Sequence, residues 1–470
     1  MDFLLAIAAL VALVWGAVFM FRGSLVGGAL AVVVLGACFG HPFFHADLGP
    51  VPLTIDRVAL LLLVGTYFLQ RHLGRTDPKP LSPADVILWA FLGLLLASGS
   101  MAGWEGTHKE PWVTVWRLVG GYLIPWILYW VVRQSPLGQR QVSQVHGLLA
   151  LLGVYLGVTG ILEVSGQWWA VFPWHIADPK LGIHFGRARG PMVHAVSYGL
   201  YVAVCLLAIW LYRWRFGLRG RYLLLLVLPL AAAGLVLSYT RAVWIGAVLG
   251  AAIVLALTLR GRWRALVLGG MVVAGLALAV TRLESFVSMQ REDSAADSLK
   301  SVSMRGSFTY VSWKMFLDRP LLGFGFGQFY TAKLDYLGDR STSLSLEEIR
   351  GYGHHNTLLS LLTETGLVGL GLYLALLGCW ARTAWRLARS AMAPEWARAQ
   401  GVLMLGVLAV YVCLGMFHEL SYTPIDNSLV FLLGGLTMGL GPLASKVESC
   451  VPAGRGLPNL LGMPGLRPAD

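Results

Sequence analysis

Charged residues are scarce in this sequence. Only 13% of its 470 residues are Asp, Glu, Lys or Arg, whereas 57% are hydrophobic. Soluble globular domains carry about 25% charged residues, so a chain with so few cannot cover its apolar surface in water. The composition excludes a water-soluble globule and indicates a membrane protein.

Paired cysteines and the usual metal or nucleotide motifs are also missing. The five cysteines stand singly, without the C-x-x-C spacing of a zinc site: Cys38, Cys205, Cys379, Cys413 and Cys450. The sequence contains neither an H-E-x-x-H motif nor a Walker lysine. We therefore expect no metal and no cofactor.

Long apolar runs occupy most of the chain. Since about 20 apolar residues cross a bilayer as a helix, we predict an all-α polytopic membrane protein with about 12–13 transmembrane helices. The first is expected to be a retained span, because Asp2 provides no basic region before it. The candidate spans lie near 3–21, 25–40, 53–70, 83–100, 113–132, 145–164, 192–212, 222–239, 242–259, 265–281, 357–380, 401–417 and 428–443.

These spans divide the chain into four parts. About ten N-terminal spans fill 1–281, and the C-terminal spans fill 357–443. Between them, 282–356 is predicted to be one large loop with an amphipathic helix and a glycine-rich segment. Residues 444–470 are expected to form a disordered cytoplasmic tail.

The net charge of +12 has a topological explanation. More than half of the 36 Lys and Arg residues fall in alternate loops and in the tail, on one side of the predicted membrane. By the positive-inside rule that side is the cytoplasm, and the large loop faces outward. The basic charge therefore does not indicate nucleic acid.

Four arginines stand at the outward boundary of the membrane. Arg241 lies in LSYTRAVWIG between two apolar runs, Arg187 and Arg189 lie in GRARGPMVHAVSYG, and Arg305 opens the predicted amphipathic helix. An arginine costs about 2.5–3.5 kcal/mol at the bilayer centre, so it normally faces a polar cavity or snorkels to the interface. If the four converge, their guanidinium groups suit a diphosphate.

Two histidines end the large loop. In GYGHHNTLLSLLTETGLVGLG, Asn356 is a good helix N-cap, which places His354 and His355 where the next span enters the membrane. A histidine there can take a proton from a hydroxyl, although a capping or interfacial role is the alternative. Glu364, inside the following apolar run, is expected to need a partner.

The amphipathic helix is predicted from SFTYVSWKMFLDRP. Pro320 provides its stop, and its apolar residues have near-helical spacing: Phe308, Val311, Trp313 or Met315, and Phe316. The following string, RPLLGFGFGQF, alternates glycine with apolar residues but lacks the G-x-G-x-x-G spacing of a dinucleotide turn. We interpret Gly323, Gly325 and Gly327 as a tight turn at a pocket mouth, with three residues in the membrane interface: Phe324, Phe326 and Phe329.

Together these strings resemble the O-antigen ligase and polymerase superfamily of bacterial inner-membrane glycosyltransferases. The resemblance covers about Val236 to Tyr373 and is carried by the glycine string and the H-N-x-x-L-x-x-L-x-E-x-G-L-x-G run, with SYTRAVWIG as a weaker element. It implies glycan transfer from undecaprenyl diphosphate to an acceptor hydroxyl on the periplasmic face, without nucleotide, metal or other cofactor. The acceptor is lipid A-core, a polysaccharide or a protein, so ligase, polymerase and protein O-oligosaccharyltransferase stay open.

Carried over by motif, the resemblance implies that the catalytic residues are Arg241, Arg305 and His355. Secondary candidates are His354, which leaves open which imidazole acts, and also Glu364 and Gly325. The residue before Arg241 is commonly serine in the family and here is Thr240.

The family's R-x-x-G element fits this chain loosely. Arg187 with Gly190 matches it, and Arg189 is a rival. The diphosphate is therefore expected to bind Arg187 or Arg189 together with Arg241 and Arg305.

An anion or solute transporter is the alternative of another class. Many spans and membrane-embedded arginines also suit translocation. Against it, the sequence has no visible internal repeat or paired broken helices. The large outer loop also favours chemistry at the membrane surface.

Overall fold

The computed structural model describes residues 23–48, 51–104, 112–212, 217–288 and 295–445. The predicted span at 3–21 and all but the first two residues of the predicted tail lie outside these ranges. The longer helices are α1 Leu25–Phe39, α2 Ile55–His72, α3 Pro83–Ala102, α4 Val113–Arg133, α5 Gln139–Val164, α6 Ala195–Tyr212, α7 Gly217–Leu237, α8 Arg241–Thr258, α9 Gly261–Ser288, α10 Ala295–Asp318, α11 Thr357–Arg389, α12 Glu395–Gly415 and α13 Pro424–Leu440.

Every predicted span within the described ranges coincides with one of these helices. Eight of the described helices are long and apolar enough to cross a membrane, namely α3, α4, α5, α6, α8, α11, α12 and α13. Helix α1 and the part of α7 at Leu226–Leu237 are apolar but shorter. The prediction of a polytopic helical membrane protein is confirmed, whereas α2 and α9 are not among the eight, so the number of about 12–13 transmembrane helices stays a prediction.

A small β-hairpin was not predicted. Strands β1 His45–Leu48 and β2 Val51–Thr54 pair antiparallel, with His45 opposite Thr54. Strands of four residues are too short for their periodicity to stand out from neighbouring apolar runs. The described fold is therefore mostly helical rather than wholly helical.

The spans pack closely through glycines. Helix α8 lies on α12, where a Cβ on Gly250 would come within 2.8 Å of the Gly406 carbonyl oxygen. Helix α13 lies on α4, where a Cβ on Gly435 would come within 2.3 Å of the Tyr129 carbonyl oxygen. Small residues of this kind let the backbones of membrane helices approach each other.

The outer surface of the spans is apolar. Leu151 on α5, Val248 on α8 and Leu374 on α11 are exposed, as expected for side chains that face lipid. Exposed tryptophans occur near both ends of the bundle, for example Trp169 at one end and Trp385 at the other. Tryptophan prefers membrane interfaces, so these positions fit two interfacial belts.

The segment between α9 and α11 has a hydrophobic core of its own. Helix α10 confirms the predicted helix and ends at Asp318, before Pro320. Its buried face uses Met315, whereas Trp313 is exposed. The buried residues of this core are Phe308, Val311, Met315, Phe329, Leu337, Leu346 and Ile349.

Candidate functional site

A cavity of about 890 Å³ opens at one end of the helix bundle. Helices α4, α6, α11 and α13 begin there, and α12 ends there. Its arginine, histidine and carboxylate lining residues are Arg117, His184, His194, Arg305, His354, His355, His418, Glu419 and Asp426. The predicted residues Arg305, His354 and His355 are thus brought to one cavity.

The basic loops lie at the opposite end of the bundle. Helix α4 runs from the cavity to Arg133, and α11 runs from the cavity to Arg389. Arg260 follows α8, which begins at the cavity end with Arg241. The cavity therefore lies on the less basic side of the membrane.

Arg305 and His355 both line this cavity. Arg305 lies on α10, with its guanidinium carbon 5.8 Å from the centre of the Phe417 ring. His355 makes an edge-to-face contact with Phe308, three residues further along α10, at 5.2 Å between ring centres. Desolvation lowers the pKa of His355, and the charges of Arg305 and Lys333 lower it further.

His354 has a different environment. It is buried, its ring stacks on Phe329 at 3.5 Å between centres, and its Nε2 lies 2.9 Å from the Thr363 hydroxyl. In the tautomer in which Nε2 of His354 donates to that hydroxyl, the hydroxyl donates to the Leu359 carbonyl at 2.9 Å and Nδ1 of His354 carries a lone pair. Burial lowers the pKa of His354 well below its ordinary value, and the charge of Arg117 lowers this pKa further.

Arg241 begins α8 at the same end of the bundle. It is not among the residues that line the cavity. The next residue, Ala242, accepts a hydrogen bond from Cys413 Sγ at 3.6 Å, four residues before Phe417 in the cavity wall. Arg241 therefore lies close in the fold to the wall that carries Arg305's aromatic neighbour.

The side chain of Arg189 is buried and binds other groups of the protein. It is fully buried, its Nε binds Glu163 Oε1 at 3.2 Å, and its terminal nitrogens donate to the carbonyls of Leu181 and Ile176 at 2.7 and 2.9 Å. These bonds hold the loop that brings His184 to the cavity. Arg187 lies in the same loop, half-buried and outside the cavity lining.

The backbone of the glycine string forms hydrogen bonds with α11 at the point where that helix is interrupted. At Gly366 the backbone leaves helical geometry, with φ 64° and ψ −162°. The N–H groups of Phe324 and Gly325 donate to the carbonyls of Thr363 and Glu364, at 3.0 and 2.9 Å. Non-helical backbone at membrane depth is tolerated where protein satisfies its polar groups, which is the case here.

All three glycines of the string have positive φ, at 69°, 114° and 81° for Gly323, Gly325 and Gly327. A Cβ on Gly325 would lie 2.2 Å from Ala102 Cβ, and one on Gly327 would lie 2.3 Å from Thr114 Cγ2. The tight turn predicted from sequence is confirmed. It packs against α3 and α4 and lines the cavity through Gly327.

Two of the three phenylalanines are not in the membrane interface. Phe326 and Phe329 are buried within the protein, and only Phe324 is partly exposed. The interfacial interpretation was wrong for these two, because the turn points them into the protein. Phe326 lies under Arg117, with 4.8 Å between the guanidinium carbon and the ring centre.

Arg117 is a lining residue that the sequence analysis missed. It forms a bidentate pair with Glu364, at 2.9 and 2.7 Å from NH1, and lies 3.6 Å from Glu419 Oε1. Its other donors bind Ser421 and Ser360, at 2.6 and 2.7 Å. The expectation that Glu364 needs a partner is confirmed, and the partner is Arg117.

The signal that could have identified Arg117 is its place in an apolar run, the same signal that selected Glu364. A charged residue in a span requires an opposite charge or a cavity. Arg117 lies one helical turn after Thr114, which the glycine turn contacts at Gly327, and precedes a π-helical turn at Val119–Leu123. Single π-helical turns inside α-helices are frequent at functional sites.

The cavity wall formed by α13 and the segment before it is acidic. Glu419 Oε1 accepts from the Ser421 hydroxyl and from its N–H. Asp426 Oδ2 accepts from the hydroxyls of Ser197 and Thr423, at 2.9 and 2.8 Å. Neither carboxylate had been singled out from the sequence. In the described ranges, His, Cys, Asp and Glu form no group of three or more that could hold a metal ion.

Residues 225–374 match the family described as O-antigen ligase. This chain carries an O-antigen ligase domain. The domain supplies Arg241, Arg305, the glycine string, His355 and Glu364, and the rest of the chain completes the cavity with Arg117, Glu419 and Asp426. No curated protein matches the chain.

At the family level, an O-antigen ligase domain means glycan transfer of the ligase or polymerase type by a membrane protein that uses lipid-linked glycans. The strings that suggested this family from sequence lie within the matched residues. The resemblance is therefore confirmed.

Proposed function

We propose that this protein is a glycosyltransferase that moves a glycan from undecaprenyl diphosphate to an acceptor hydroxyl. The observation that carries the proposal is the meeting of Arg305 and His355 in one cavity, where the charge of the arginine acts on the imidazole. Both residues belong to the O-antigen ligase domain.

In the proposed reaction, the acceptor oxygen forms a bond to the anomeric carbon of the lipid-linked sugar. The bond from that carbon to the diphosphate oxygen breaks, and its electron pair leaves with the diphosphate. The acceptor's proton passes to a ring nitrogen of His355, which the lowered pKa keeps neutral and able to accept it.

The leaving diphosphate requires positive charge. Arg305 is exposed to the cavity and is the first candidate. Arg241 and Arg187 are the next candidates at this end of the bundle, whereas the donors of Arg189 are engaged by Glu163 and two carbonyls. Fixed guanidinium groups stabilise developing negative charge without reorganisation.

We place the cavity on the periplasmic face of the bacterial inner membrane. The support is the charge distribution, because the basic loops lie at the opposite end of the bundle and basic loops stay in the cytoplasm. The undecaprenyl chain would then lie in the bilayer beside the helices.

The direct test incubates purified full-length protein with an undecaprenyl-diphosphate-linked oligosaccharide and measures release of the carrier diphosphate. His355→Ala and Arg305→Gln should each lower the rate by about 100-fold or more, since proton transfer and charge stabilisation commonly contribute that much. His72→Ala, at the other end of the bundle, is the matched control. Release that survives His355→Ala at the full rate would refute the proposed base.

The nature of the acceptor is decided by the product. Sugar recovered on lipid A-core indicates a ligase, lengthened lipid-linked glycan indicates a polymerase, and glycosylated protein indicates an oligosaccharyltransferase. Solute flux through proteoliposomes without any glycan transfer would instead favour the transporter.

A further inference from the structure

Hydrogen-bond acceptors without donors gather around the cavity. Among the described residues, the buried side-chain atoms without a hydrogen-bond partner include Glu419 Oε2, Asp426 Oδ1, His354 Nδ1 and Thr114 Oγ1. All four residues line the cavity, and each is less than a tenth exposed. A buried polar group without a partner is costly, so this wall is suited to a ligand that supplies hydrogen bonds.

Three of these four atoms act as hydrogen-bond acceptors when Glu419 and Asp426 are ionised and His354 is neutral. Two are oxygens of the carboxylates Glu419 and Asp426, and carboxylates have no donor. The third is Nδ1 of His354, which has a lone pair in the tautomer in which Nε2 donates to the Thr363 hydroxyl. The complementary ligand therefore presents several hydrogen-bond donors to the cavity wall.

Charge narrows the class of ligand further. The carboxylates repel a diphosphate, which suits the Arg305 side of the cavity instead. Hydroxyl groups of a neutral sugar donate hydrogen bonds and carry no charge. A carboxylated or phosphorylated sugar would bring negative charge against Glu419 and Asp426.

We propose that Glu419 and Asp426 form a subsite that binds the hydroxyl groups of a neutral sugar ring. This inference rests on the proposed glycan transfer for its place in the reaction, and it names the class of sugar accepted at one wall of that site. The ring belongs either to the acceptor or to the first sugar of the donor, since both carry hydroxyl groups.

Amide substitutions replace a hydrogen-bond acceptor on this wall by a donor, with little change in shape. In Asp426→Asn, the amide oxygen should keep the Oδ2 position, because the Ser197 and Thr423 hydroxyls donate there. Its NH₂ group then replaces the acceptor Oδ1. Glu419→Gln should behave likewise, because the Ser421 N–H and hydroxyl hold Oε1.

The binding test uses saturation-transfer difference NMR on the full-length protein in detergent, with a free neutral oligosaccharide and its uronic-acid analogue as probes. The wild type should bind the neutral probe more tightly than the acidic one. Asp426→Asn and Glu419→Gln should each weaken binding of the neutral probe by about tenfold, since a hydrogen bond from a sugar hydroxyl to a carboxylate is lost. They should also reduce the discrimination against the acidic probe.

The matched control is Glu347→Gln, because Glu347 is exposed on the segment between α9 and α11 and paired with Arg350. It should leave both affinities unchanged. Thermal unfolding of each variant shows whether the fold is retained, which matters for Glu419 because of its ion pair with Arg117. Equal binding of the two probes to the wild type, or no binding of either, overturns the subsite, and so does unchanged binding in a folded Asp426→Asn.

Steady-state kinetics of Asp426→Asn and Glu419→Gln then shows which substrate carries the bound sugar ring. A higher KM for the acceptor alone places it in the acceptor, and a higher KM for the lipid-linked donor alone places it in the donor. If neither KM changes, the subsite is refuted. Absence of carrier release by the wild type would instead refute the proposed glycan transfer, and the binding result would stand independently of it.

Discussion

At the scale of single residues, the arginines of this site differ in where their donors are directed. Arg117 and Arg189 are buried, and both donate to carboxylates and other groups of the protein itself. Arg305 is exposed on the cavity wall, where a ligand can reach it. Burial thus separates arginines that hold the structure from Arg305, which we propose binds the diphosphate.

The Arg117–Glu364 pair gives a stability prediction. Arg117→Met should destabilise the protein by about 3–5 kcal/mol, because it leaves buried carboxylates without their counter-charge. Arg117→Met combined with Glu364→Gln should lose less than the sum of the two single changes, since the two residues are coupled. The measurement is the free energy of unfolding, or the thermal midpoint, in detergent.

Arg350→Met is the control for that prediction, because Arg350 forms an exposed pair with Glu347. Exposed pairs contribute little to stability, so this variant should unfold close to the wild type. Additive losses at Arg117 and Glu364 would contradict the coupling.

The proposed base gives a prediction about pH. Because the charge of Arg305 lowers the pKa of His355, Arg305→Gln should raise that pKa. The imidazole would then become protonated at a higher pH, and the acid limb of the pH–rate profile should move upward. The profile is measured as carrier release and normalised to each variant's own maximum.

Arg319→Gln is the matched control for the pH profile. Arg319 is exposed and is not among the charges that act on His355. An acid limb that stays in place in Arg305→Gln would show that His355 does not set it.

At the scale of elements, the decisive feature is the joint between the glycine string and the break in α11. Besides the bonds from Phe324 and Gly325, the N–H groups of Leu367 and Val368 donate to the carbonyls of Pro320 and Leu321, at 2.8 and 3.2 Å. The joint positions the chain on both sides of the cavity, because His355 precedes α11 and Gly327 ends the string.

Gly366 should not tolerate a side chain. Its φ of 64° and ψ of −162° belong to a region that only glycine adopts readily, and a Cβ would lie 2.3 Å from the carbonyl carbon and oxygen of Leu321. Gly366→Ala should cost about 1–3 kcal/mol of stability from backbone strain, with the steric clash in addition. The check is thermal unfolding of the purified variant.

Gly371→Ala provides the comparison within the same helix. A Cβ on Gly371 meets nothing within 4 Å, so alanine there should raise stability by about 0.5–1 kcal/mol. Equal thermal midpoints for the two variants would contradict the assigned break.

Sequence reasoning located both halves of this joint but not their contact. The spacing of Gly323, Gly325 and Gly327 indicated a tight turn, and the run after His355 indicated a span. That the span breaks at Gly366 could not be read, because glycine is common inside membrane helices. The backbone carbonyls that accept hydrogen bonds at the break lie about 45 residues earlier in the chain, near Leu321. These hydrogen bonds make the break tolerable within the membrane.

At the scale of the whole molecule, the two ends of the bundle differ in charge and in chemistry. One end carries the basic loops, and the other carries the cavity with Arg305 and His355, which lie within the O-antigen ligase domain. The positive-inside rule applied to this arrangement predicts that the cavity faces outward.

The orientation is testable by cysteine labelling in a cysteine-free background. Ser341→Cys lies in the exposed outer segment at the cavity end, and Ala391→Cys lies at the basic end, between α11 and α12. A membrane-impermeant maleimide added to cells with a permeabilised outer membrane should label the first and not the second. The reverse pattern would place the cavity in the cytoplasm.

The sequence by itself determined the class of this protein, its helices and the family motifs. These depend on composition and on local periodicity, which each segment carries alone. The tertiary structure decided which charges meet, such as Arg117 with Glu364, 247 residues apart. It also decided that Glu419 and Asp426 share a cavity with Arg305 and His355. Such pairings depend on how the spans pack, and no single segment specifies that packing.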